Sequence, residues 1–313
     1  MGTSLGVLLK KSDVELVTRN CAHVDAINAC GASIVGDVNK TVRLKACLPS
    51  QMTGEYDVII FAVKQRESAC AAQFLLPFLK KDGCIVTVQN GLPEESLAEV
   101  FSADNVYGCT LSWGAEIVQP GVVSVTSKAG FRLGLGSYGK GSRLFELVSL
   151  FSFAGEVTVG DLNELRFAKL AVNASFSTLS AISGLDFYTI SKKYKKYALA
   201  LIREVFLVAR ACGCKKLPQN GHDLFAVFGN AFSKLLLPVA MKPYRETRSG
   251  MLRDIQAGRR CDVDYVAGAV IRKAEEAGLN LPLMQAAVSL VHDVENGLAE
   301  IAPDTILLLK EGI

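Results

Sequence analysis

The sequence predicts an α/β amino-terminal domain followed by an all-α carboxyl-terminal domain. Two continuous apolar runs, Asp57 to Val63 and Cys84 to Val88, are typical of strands buried on both faces of a parallel sheet. After Asp161 the strand signals vanish, and apolar residues recur with a helical period to the end of the chain. We therefore place the boundary near residue 160, which gives domains of residues 1–160 and 161–313.

Composition excludes several classes of protein. A chain of 313 residues with a net charge of +3 and interspersed charges has no dedicated nucleic-acid surface. The two most apolar helical stretches, Tyr197 to Cys214 and Phe225 to Met241, are interrupted by charged residues, so no membrane span is predicted. Nine scattered cysteines predict reduced thiols in the cytoplasm, and three widely separated histidines predict no metal site.

The first residues, Gly2 to Lys11, look like the first helix of a Rossmann-type nucleotide-binding unit. In the fingerprint G-x-G-x-x-G, the last glycine allows close packing of helix on strand, and here only that glycine, Gly2, is present. The first strand and the two earlier glycines are missing from this sequence, which suggests a late start or a truncated chain. Gly2 and Thr3 would then contact the cofactor. An ordinary amphipathic helix explains this fragment equally well.

The cofactor preference is predicted from the end of the next strand, Val14 to Thr18. Arg19 stands where an NAD-binding protein carries an acidic residue for the ribose hydroxyl and an NADP-binding protein carries a basic one. We therefore expect NADPH rather than NADH. The alternative is a surface arginine without a ligand.

Strand and helix signals alternate through the rest of the first domain. A turn at residues 36–39 separates two short predicted strands, Ala32 to Val35 and Thr41 to Ala46. Lys64 and Asn90 follow the two predicted buried strands, at the sheet edge where ligands bind in such folds. The alternative for Asn90 is a purely conformational role, because an asparagine before a glycine such as Gly91 is common in turns. The remaining predicted elements are a helix to about Leu79, strands Val106–Thr110, Gly114–Val118, Val122–Thr126 and Phe131–Leu135 with a turn at Ala129-Gly130, helix Ser142–Phe151 and strand Glu156–Val159.

The helix Glu164 to Asn173 carries the strongest chemical signal. Beyond its first turn, Lys169 and Asn173 are its only polar residues, and a spacing of four places them on one face. A lysine on an apolar helix is costly to bury unless it has a partner or a function. The alternative is a lysine whose ammonium reaches water from a core helix.

A second cluster, Ser249 to Tyr265, is rich in glycine and charge. Together with E-L-R-F-A-K-L-A-V-N, Q-N-G at Gln89 and Arg19, it resembles the ketopantoate reductases (2-dehydropantoate 2-reductases). The resemblance covers nearly the whole chain in order, including G-A-E-I-V-Q-P-G-V-V from Gly114 and A-G-L-N-L-P from Ala277.

The resemblance implies reduction of the C2 ketone of 2-dehydropantoate by NADPH, a step of pantothenate biosynthesis. Lys169 would be the general acid, with Asp262 holding the substrate hydroxyl or orienting Lys169, unless Asp262 is a structural helix carboxylate. The implied substrate-binding residues are Asn90, Asn173, Ser177, Ser249 and Gly250. The implied cofactor-binding residues are Gly2, Thr3, Arg19, Lys64 and Asn90.

Three positions depart from the family pattern. Gly250 replaces a serine, Ser177 an asparagine and Asp262 a glutamate, and each change removes or shortens a substrate contact. Lost hydrogen bonds discriminate strongly between substrates, so a different 2-oxoacid is one alternative. A degenerate, non-catalytic NADP-binding protein is another, because of the missing strand. A homodimer is left open by the sequence.

Overall fold

The computed structural model describes residues 1–9, 12–127 and 130–309, which divide into two compact units. Unit 1 comprises Met1–Gln89 and Pro93–Leu162, and unit 2 comprises Asn90–Leu92 with residues from Asn163 onward. Lys11, the predicted end of the first helix, and Ala129, in a predicted turn, lie outside the described residues.

Unit 1 is an α/β unit, as predicted. Its strands are β1 Glu15–Val17, β2 Ala32–Gly36, β3 Lys40–Val42, β4 Lys45–Cys47, β5 Tyr56–Phe61, β6 Leu79–Thr87, β7 Val106–Leu111, β8 Gly114–Gln119, β9 Val122–Thr126, β10 Arg132–Ser137 and β11 Glu156–Val159. Its helices are α1 Gly2–Leu8, α2 Cys21–Cys30, α3 Ser68–Leu75, α4 Glu94–Ala98 and α5 Leu144–Phe151.

Three sheets are formed by these strands. The largest has the order β11-β10-β7-β6-β5, in which only the β7–β10 pair is antiparallel. A four-stranded sheet has the order β3-β2-β9-β8, and β1 pairs with β4 in parallel. The Tyr56 hydroxyl donates a hydrogen bond to the Glu15 carboxylate, which brings the amino ends of β5 and β1 together.

The two apolar runs of the sequence differ in burial. β6 is buried on both faces as predicted, because Cys84 and Val86 contact one apolar cluster and Ile85 contacts another. The prediction is wrong for β5, where only Phe61 is fully buried. β5 is the terminal strand of its sheet. Only one of its two edges therefore pairs with a neighbouring strand of that sheet, whereas β6 is paired on both edges.

Two other expectations need correction. The predicted strand Thr41–Ala46 is two strands, because the chain leaves the hairpin with β2 after Val42 and then pairs with β1. Close packing of the first helix on a strand occurs at Gly6 rather than Gly2. An added Cβ would lie 2.9 Å from Leu16 at Gly6, whereas at Gly2 its nearest neighbour would be Ala62 at 3.8 Å.

Unit 2 is helical. Its helices are α6 Leu162–Val172, whose first residue belongs to unit 1, α7 Thr178–Ser183, α8 Phe187–Lys193, α9 Lys195–Ala211, α10 Leu224–Phe228, α11 Ser233–Met241, α12 Gly250–Gln256, α13 Val263–Glu276 and α14 Pro282–Glu295. The all-α prediction misses a small hairpin of β12 Pro218–Gln219 and β13 His222–Asp223. Its turn is Asn220-Gly221, both with positive φ, which is a strong hairpin signal. Within the described residues, no helix is long and apolar enough to span a membrane.

His23 joins three separate segments of unit 1. Its Nδ1 accepts a hydrogen bond from the backbone N–H of Gly121 at 3.0 Å, so the proton of the neutral ring is on Nε2, which lies 2.9 Å from the Thr3 hydroxyl. Burial, followed by the nearby amino terminus, lowers the pKa of His23. The neutral ring therefore ties α1 to α2 and to the β8–β9 turn.

We predict that acid weakens unit 1 through His23. Since its folded pKa is depressed, the stabilisation is complete above the unfolded pKa of about 6.5 and is lost as pH falls through the lower folded pKa. The free energy of unfolding, measured in urea between about pH 7.5 and 5, should fall with a slope of up to about 1.4 kcal/mol per pH unit from this group.

His23→Gln should be less stable at neutral pH and should lose this part of the slope. The exposed His222, replaced by glutamine, is the matched control and should keep the wild-type slope. An unchanged slope in His23→Gln would contradict this assignment.

Candidate active site

A half-buried polar stripe runs along one side of an otherwise buried helical segment in unit 2. Lys169, Asn173 and Ser177 are partly accessible, whereas neighbouring residues such as Ala168, Leu170 and Ala174 are buried. A spacing of four residues keeps the three side chains on nearly the same side. The predicted pair, Lys169 and Asn173, thus faces accessible space rather than the core.

The helix does not continue regularly through this stripe. α6 ends at Val172, and residues Asn173–Ser177 form a single π-helical turn before α7 begins. Such turns are rare and often occur at functional sites. Within this turn the Ser175 hydroxyl is buried without a hydrogen-bond partner in the described part of the chain, which costs about 1–3 kcal/mol.

Ser249 and Gly250 stand at the start of α12, which packs against α7. The Ser249 hydroxyl caps α12 by accepting a hydrogen bond from the Leu252 N–H at 3.1 Å, and its own N–H donates to the Ser180 hydroxyl at 3.2 Å. Gly250 is exposed, and an added Cβ would meet no atom within 4 Å. Packing therefore does not require glycine at position 250.

Asp262 occupies the N-cap position of α13, and α13 packs against the π-helical turn. A structural carboxylate at this position would accept a hydrogen bond from the first turn of the helix. The Asp262 side chain makes no such capping bond. The Asp262 side chain therefore does not cap α13.

Asn90 belongs to unit 2 by its contacts, together with Gly91 and Leu92. Leu92 packs against the core of the helical unit, and Gly91 has a φ of +86°, which favours glycine. Asn90 itself is exposed. The structure therefore places all the predicted substrate-side residues and Lys169 in unit 2.

Gln89, which precedes Asn90, is held rigidly in unit 1. Its amide nitrogen donates to the Val63 carbonyl at 2.9 Å and to the Ser68 hydroxyl at 2.7 Å, and its amide oxygen accepts from the Thr87 hydroxyl at 3.0 Å. These bonds join the ends of β5 and β6 to the start of α3. Sequence reasoning assigned no role to Gln89, although a buried amide directly after a strand was a usable signal.

Four of the five predicted cofactor residues, Gly2, Thr3, Arg19 and Lys64, lie near the carboxyl ends of β5 and β1 in unit 1, whereas Asn90 belongs to unit 2. The first turn of α1 lies beside the end of β5, because Gly2 is next to Ala62. Burial and then the charge of Lys64 lower the pKa of the Met1 amino group, which places Lys64 close to the same turn. Thr3 is buried, and its hydroxyl is hydrogen-bonded to His23.

Arg19 lies at the end of β1 and forms an ion pair with Glu67, in the turn after β5. Its side chain is 75% exposed, so the pair is weak and open to competition from another anion. Glu67 is a second residue that sequence reasoning missed, because 48 positions separate it from Arg19.

The polar groups near the carboxyl ends of β1 and β5 suit an anionic nucleotide. Lys64 and Arg19 supply positive charge, and the first turn of α1 leaves backbone N–H groups that have no partner within the helix. The side-chain oxygen of Gln65, in the turn after β5, is buried without a hydrogen-bond partner in the described ranges. No group of acidic, histidine and cysteine side chains suited to a metal ion occurs within residues 1–9, 12–127 and 130–309.

Solved structures with the same fold include a dehydrogenase in complex with NADH. The ternary structure of D-mandelate dehydrogenase with NADH and anilino(oxo)acetate is 21% identical to this chain, with a TM-score of 0.81, and the match covers 95% of this chain and 96% of that one. At this identity the likeness shows the fold alone.

Curated relatives match over most of their length. The 2-dehydropantoate 2-reductase of Pyrococcus horikoshii is 29% identical over 287 residues, which cover 90% of each chain. That of Pyrococcus abyssi is 27% identical over 289 residues, which cover 90% of this chain and 91% of the relative.

Two family models match consecutive parts of the chain. The model described as ketopantoate reductase PanE/ApbA matches residues 1–138, and the model described as ketopantoate reductase PanE/ApbA C terminal matches residues 161–295. Together they cover well over half of the sequence. The chain therefore belongs to the ketopantoate reductase family of oxidoreductases.

Proposed function

We propose that this chain reduces the C2 ketone of 2-dehydropantoate to (R)-pantoate with NADPH. The observation that carries the proposal is the position of Lys169, which lies half-buried beside Asn173 on a helix whose other faces are buried. Membership of the ketopantoate reductase family supports the substrate, as do the names of the two Pyrococcus relatives.

Lys169 acts as the general acid. A bound nicotinamide cofactor would supply the hydride to the C2 carbon, so that negative charge would develop on the carbonyl oxygen. The Lys169 ammonium stabilises that charge and gives its proton to the oxygen. Partial burial strengthens this interaction, because the effective dielectric constant is lower than in water.

The other polar groups of unit 2 orient the substrate. The amides of Asn173 and Asn90 and the hydroxyl of Ser177 present donors and acceptors for the carboxylate and hydroxyl groups of a 2-oxoacid. Ser249 caps α12 through its oxygen, which leaves its hydroxyl proton to donate. Asp262 binds the substrate hydroxyl or orients Lys169, consistent with its lack of a capping bond.

NADPH is held by unit 1. Gly2 and Thr3 contribute backbone groups, and Lys64 and Arg19 contribute charge. The Arg19–Glu67 pair weakens the expected preference for NADPH, because the carboxylate competes with a 2′-phosphate for the guanidinium.

All nine cysteines are free thiols, which supports a cytoplasmic enzyme.

A second candidate substrate is a bulkier 2-oxoacid, such as an aryl one. The open space around Gly250 favours it, and D-mandelate dehydrogenase shares the fold. A chain that binds NADPH without reducing any 2-oxoacid would instead match the non-catalytic alternative.

Replacement of Lys169 tests the general acid. Lys169→Ala should lower kcat for ketopantoate by about 10²- to 10⁴-fold, measured as NADPH oxidation, because that is the usual contribution of general acid catalysis. NADPH binding, followed by fluorescence, should be unchanged. Lys193→Ala, at an exposed lysine on α8, is the charge-matched control and should retain wild-type turnover. A Lys169→Ala enzyme with near wild-type kcat would refute the mechanism.

Substitutions at Arg19 and Glu67 test the cofactor preference. Arg19→Ala should raise KM for NADPH about 10- to 100-fold and leave KM for NADH nearly unchanged, since a charge-assisted contact to phosphate contributes about 1.5–3 kcal/mol. Glu67→Gln should raise the ratio of kcat/KM for NADPH over NADH, because it frees the guanidinium. Glu55→Gln, at the other end of β5, should leave the ratio unchanged. Equal effects of Arg19→Ala on both cofactors would contradict this role.

Gly250→Ser tests the choice of substrate. The added side chain displaces no atom, so stability should be unchanged. The ratio of kcat/KM for ketopantoate over phenylglyoxylate should rise about 10-fold, because serine adds a hydrogen bond and reduces the space for a ring. Gly54→Ser, another glycine with open space around it, is the matched control. An unchanged ratio would show that position 250 does not select the substrate.

A further inference from the structure

The buried carboxylate of Glu295 makes contacts that the proposed mechanism does not use. Glu295 is the last residue of α14, and its side chain is only 5% exposed. Its Oε1 accepts a hydrogen bond from the backbone N–H of Cys261 at 2.7 Å, and the Cys261 thiol donates another to the same carboxylate. These bonds join the end of α14 to the residue directly before Asp262.

A histidine extends this contact to the other side of Asp262. His292, one turn before Glu295 on α14, has its Nδ1 at 3.2 Å from Glu295 Oε2 and its Nε2 at 2.9 Å from Oδ1 of Asp264. Asp264 lies in the first turn of α13. In a neutral ring one of the two nitrogens donates a hydrogen bond, and in a protonated ring both do. The end of α14 therefore holds the chain on both sides of Asp262.

The hydrogen bonds keep Glu295 charged inside the unit. Burial alone would raise the pKa of its carboxyl group, but the bonds from Cys261 and then His292 bring that pKa below the ordinary value. Burial, followed by the bond to Glu295, raises the pKa of the Cys261 thiol, which therefore keeps its proton and donates it. Glu295 is consequently an acceptor at neutral pH.

A carboxylate at this position does not stabilise α14 itself. The carboxyl end of a helix carries a partial negative charge, so an acidic residue in its last turn is unfavourable there. The bonds from the backbone and thiol of Cys261 offset this effect, and they lie outside α14. The benefit of Glu295 is therefore at the start of α13, where Asp262 lies.

We propose that Glu295 is a positioning residue that fixes Asp262 for its interaction with the substrate or with Lys169. It acts through Cys261 on one side of Asp262 and through His292 on the other. The Asp262 side chain does not cap α13, so a capping bond does not fix its carboxylate. Its position depends instead on the backbone that α14 holds. This inference rests on the role of Asp262 in the proposed function.

Hydrogen exchange of the full chain without ligands tests the contact directly. In Glu295→Ala, the amides of residues 258–263 should exchange at least about 10-fold faster than in the wild type, because the Cys261 N–H loses its acceptor. Glu295→Gln, whose amide oxygen can still accept that bond, should restore much of the protection. Unchanged exchange in Glu295→Ala overturns the inference.

Steady-state kinetics with ketopantoate and NADPH test the consequence for Asp262. Glu295→Ala should lower kcat/KM by about 10- to 100-fold, since a misplacement of about 1 Å can cost that much. The loss should appear in the same constant, KM or kcat, that Asp262→Ala changes. In the double variant the two losses should not multiply, because Glu295 acts through Asp262. Losses that multiply would indicate a structural role alone and overturn the inference.

Glu275→Ala, at an exposed carboxylate on α13, is the matched control and should keep wild-type exchange and turnover. Circular dichroism and thermal melting show whether Glu295→Ala folds. If it does not, Glu295→Gln replaces it in the double-variant comparison and should still lower kcat/KM about 3- to 10-fold, because its amide group cannot accept from His292. A wild type that leaves ketopantoate unreduced would refute the proposed function, and the exchange rates would then decide by themselves whether Glu295 holds the segment of Asp262.

Discussion

The free-energy cost of burying polar groups is the constraint on which unit 2 depends. The segment from Phe167 to Ile182 supplies apolar side chains to the core of the unit, where a charged or amide side chain without a partner is strongly destabilising. Alanines at 168, 171, 174 and 181 are fully buried and allow neighbouring helices to approach closely. Lys169, Asn173 and Ser177 share a partly accessible stripe, which lowers the cost of their polar groups. The polar side chains that we propose to react with and bind the substrate are therefore collected in one place by the packing of the helix.

Unit 1 organises its polar groups by a different rule. Strands that run in parallel end at the same edge, so residues far apart in sequence meet there. Lys64 follows β5, Arg19 follows β1, and Glu67 joins Arg19 from the turn after β5. Gln89 fixes the ends of β5 and β6 relative to α3 through three hydrogen bonds. The acidic residue beside Arg19 means that, in the proposed cofactor site, the preference between nucleotides would depend on a balance of charges rather than on the arginine alone.

Elements that depend on local pattern were predicted well, and those that depend on long-range neighbours were not. β7, β9, β11 and most of α6 lie close to their predicted positions, because apolar period and length specify them. The complete burial expected for β5 was wrong, since burial depends on which strand is the last in the sheet. The split of residues 41–46 between two sheets depends on pairing with β1 and β2 and leaves no signal in that short segment. The Asn220-Gly221 hairpin was visible in the sequence and was overlooked because the surrounding region is helical.

The sequence by itself determined that an α/β domain precedes a helical domain, to which family the chain belongs, and that Lys169 and Asn173 share one face of a helix. Each of these depends on residue type and spacing along one element. The tertiary structure decided what each side chain contacts. It assigned close helix–strand packing to Gly6, paired Arg19 with Glu67, engaged Ser249 as a helix cap and left open space at Gly250. It also showed that the apolar side of α11 faces solvent, although the same residues would suit a buried helix. These outcomes depend on contacts between distant segments, which spacing along one chain does not encode.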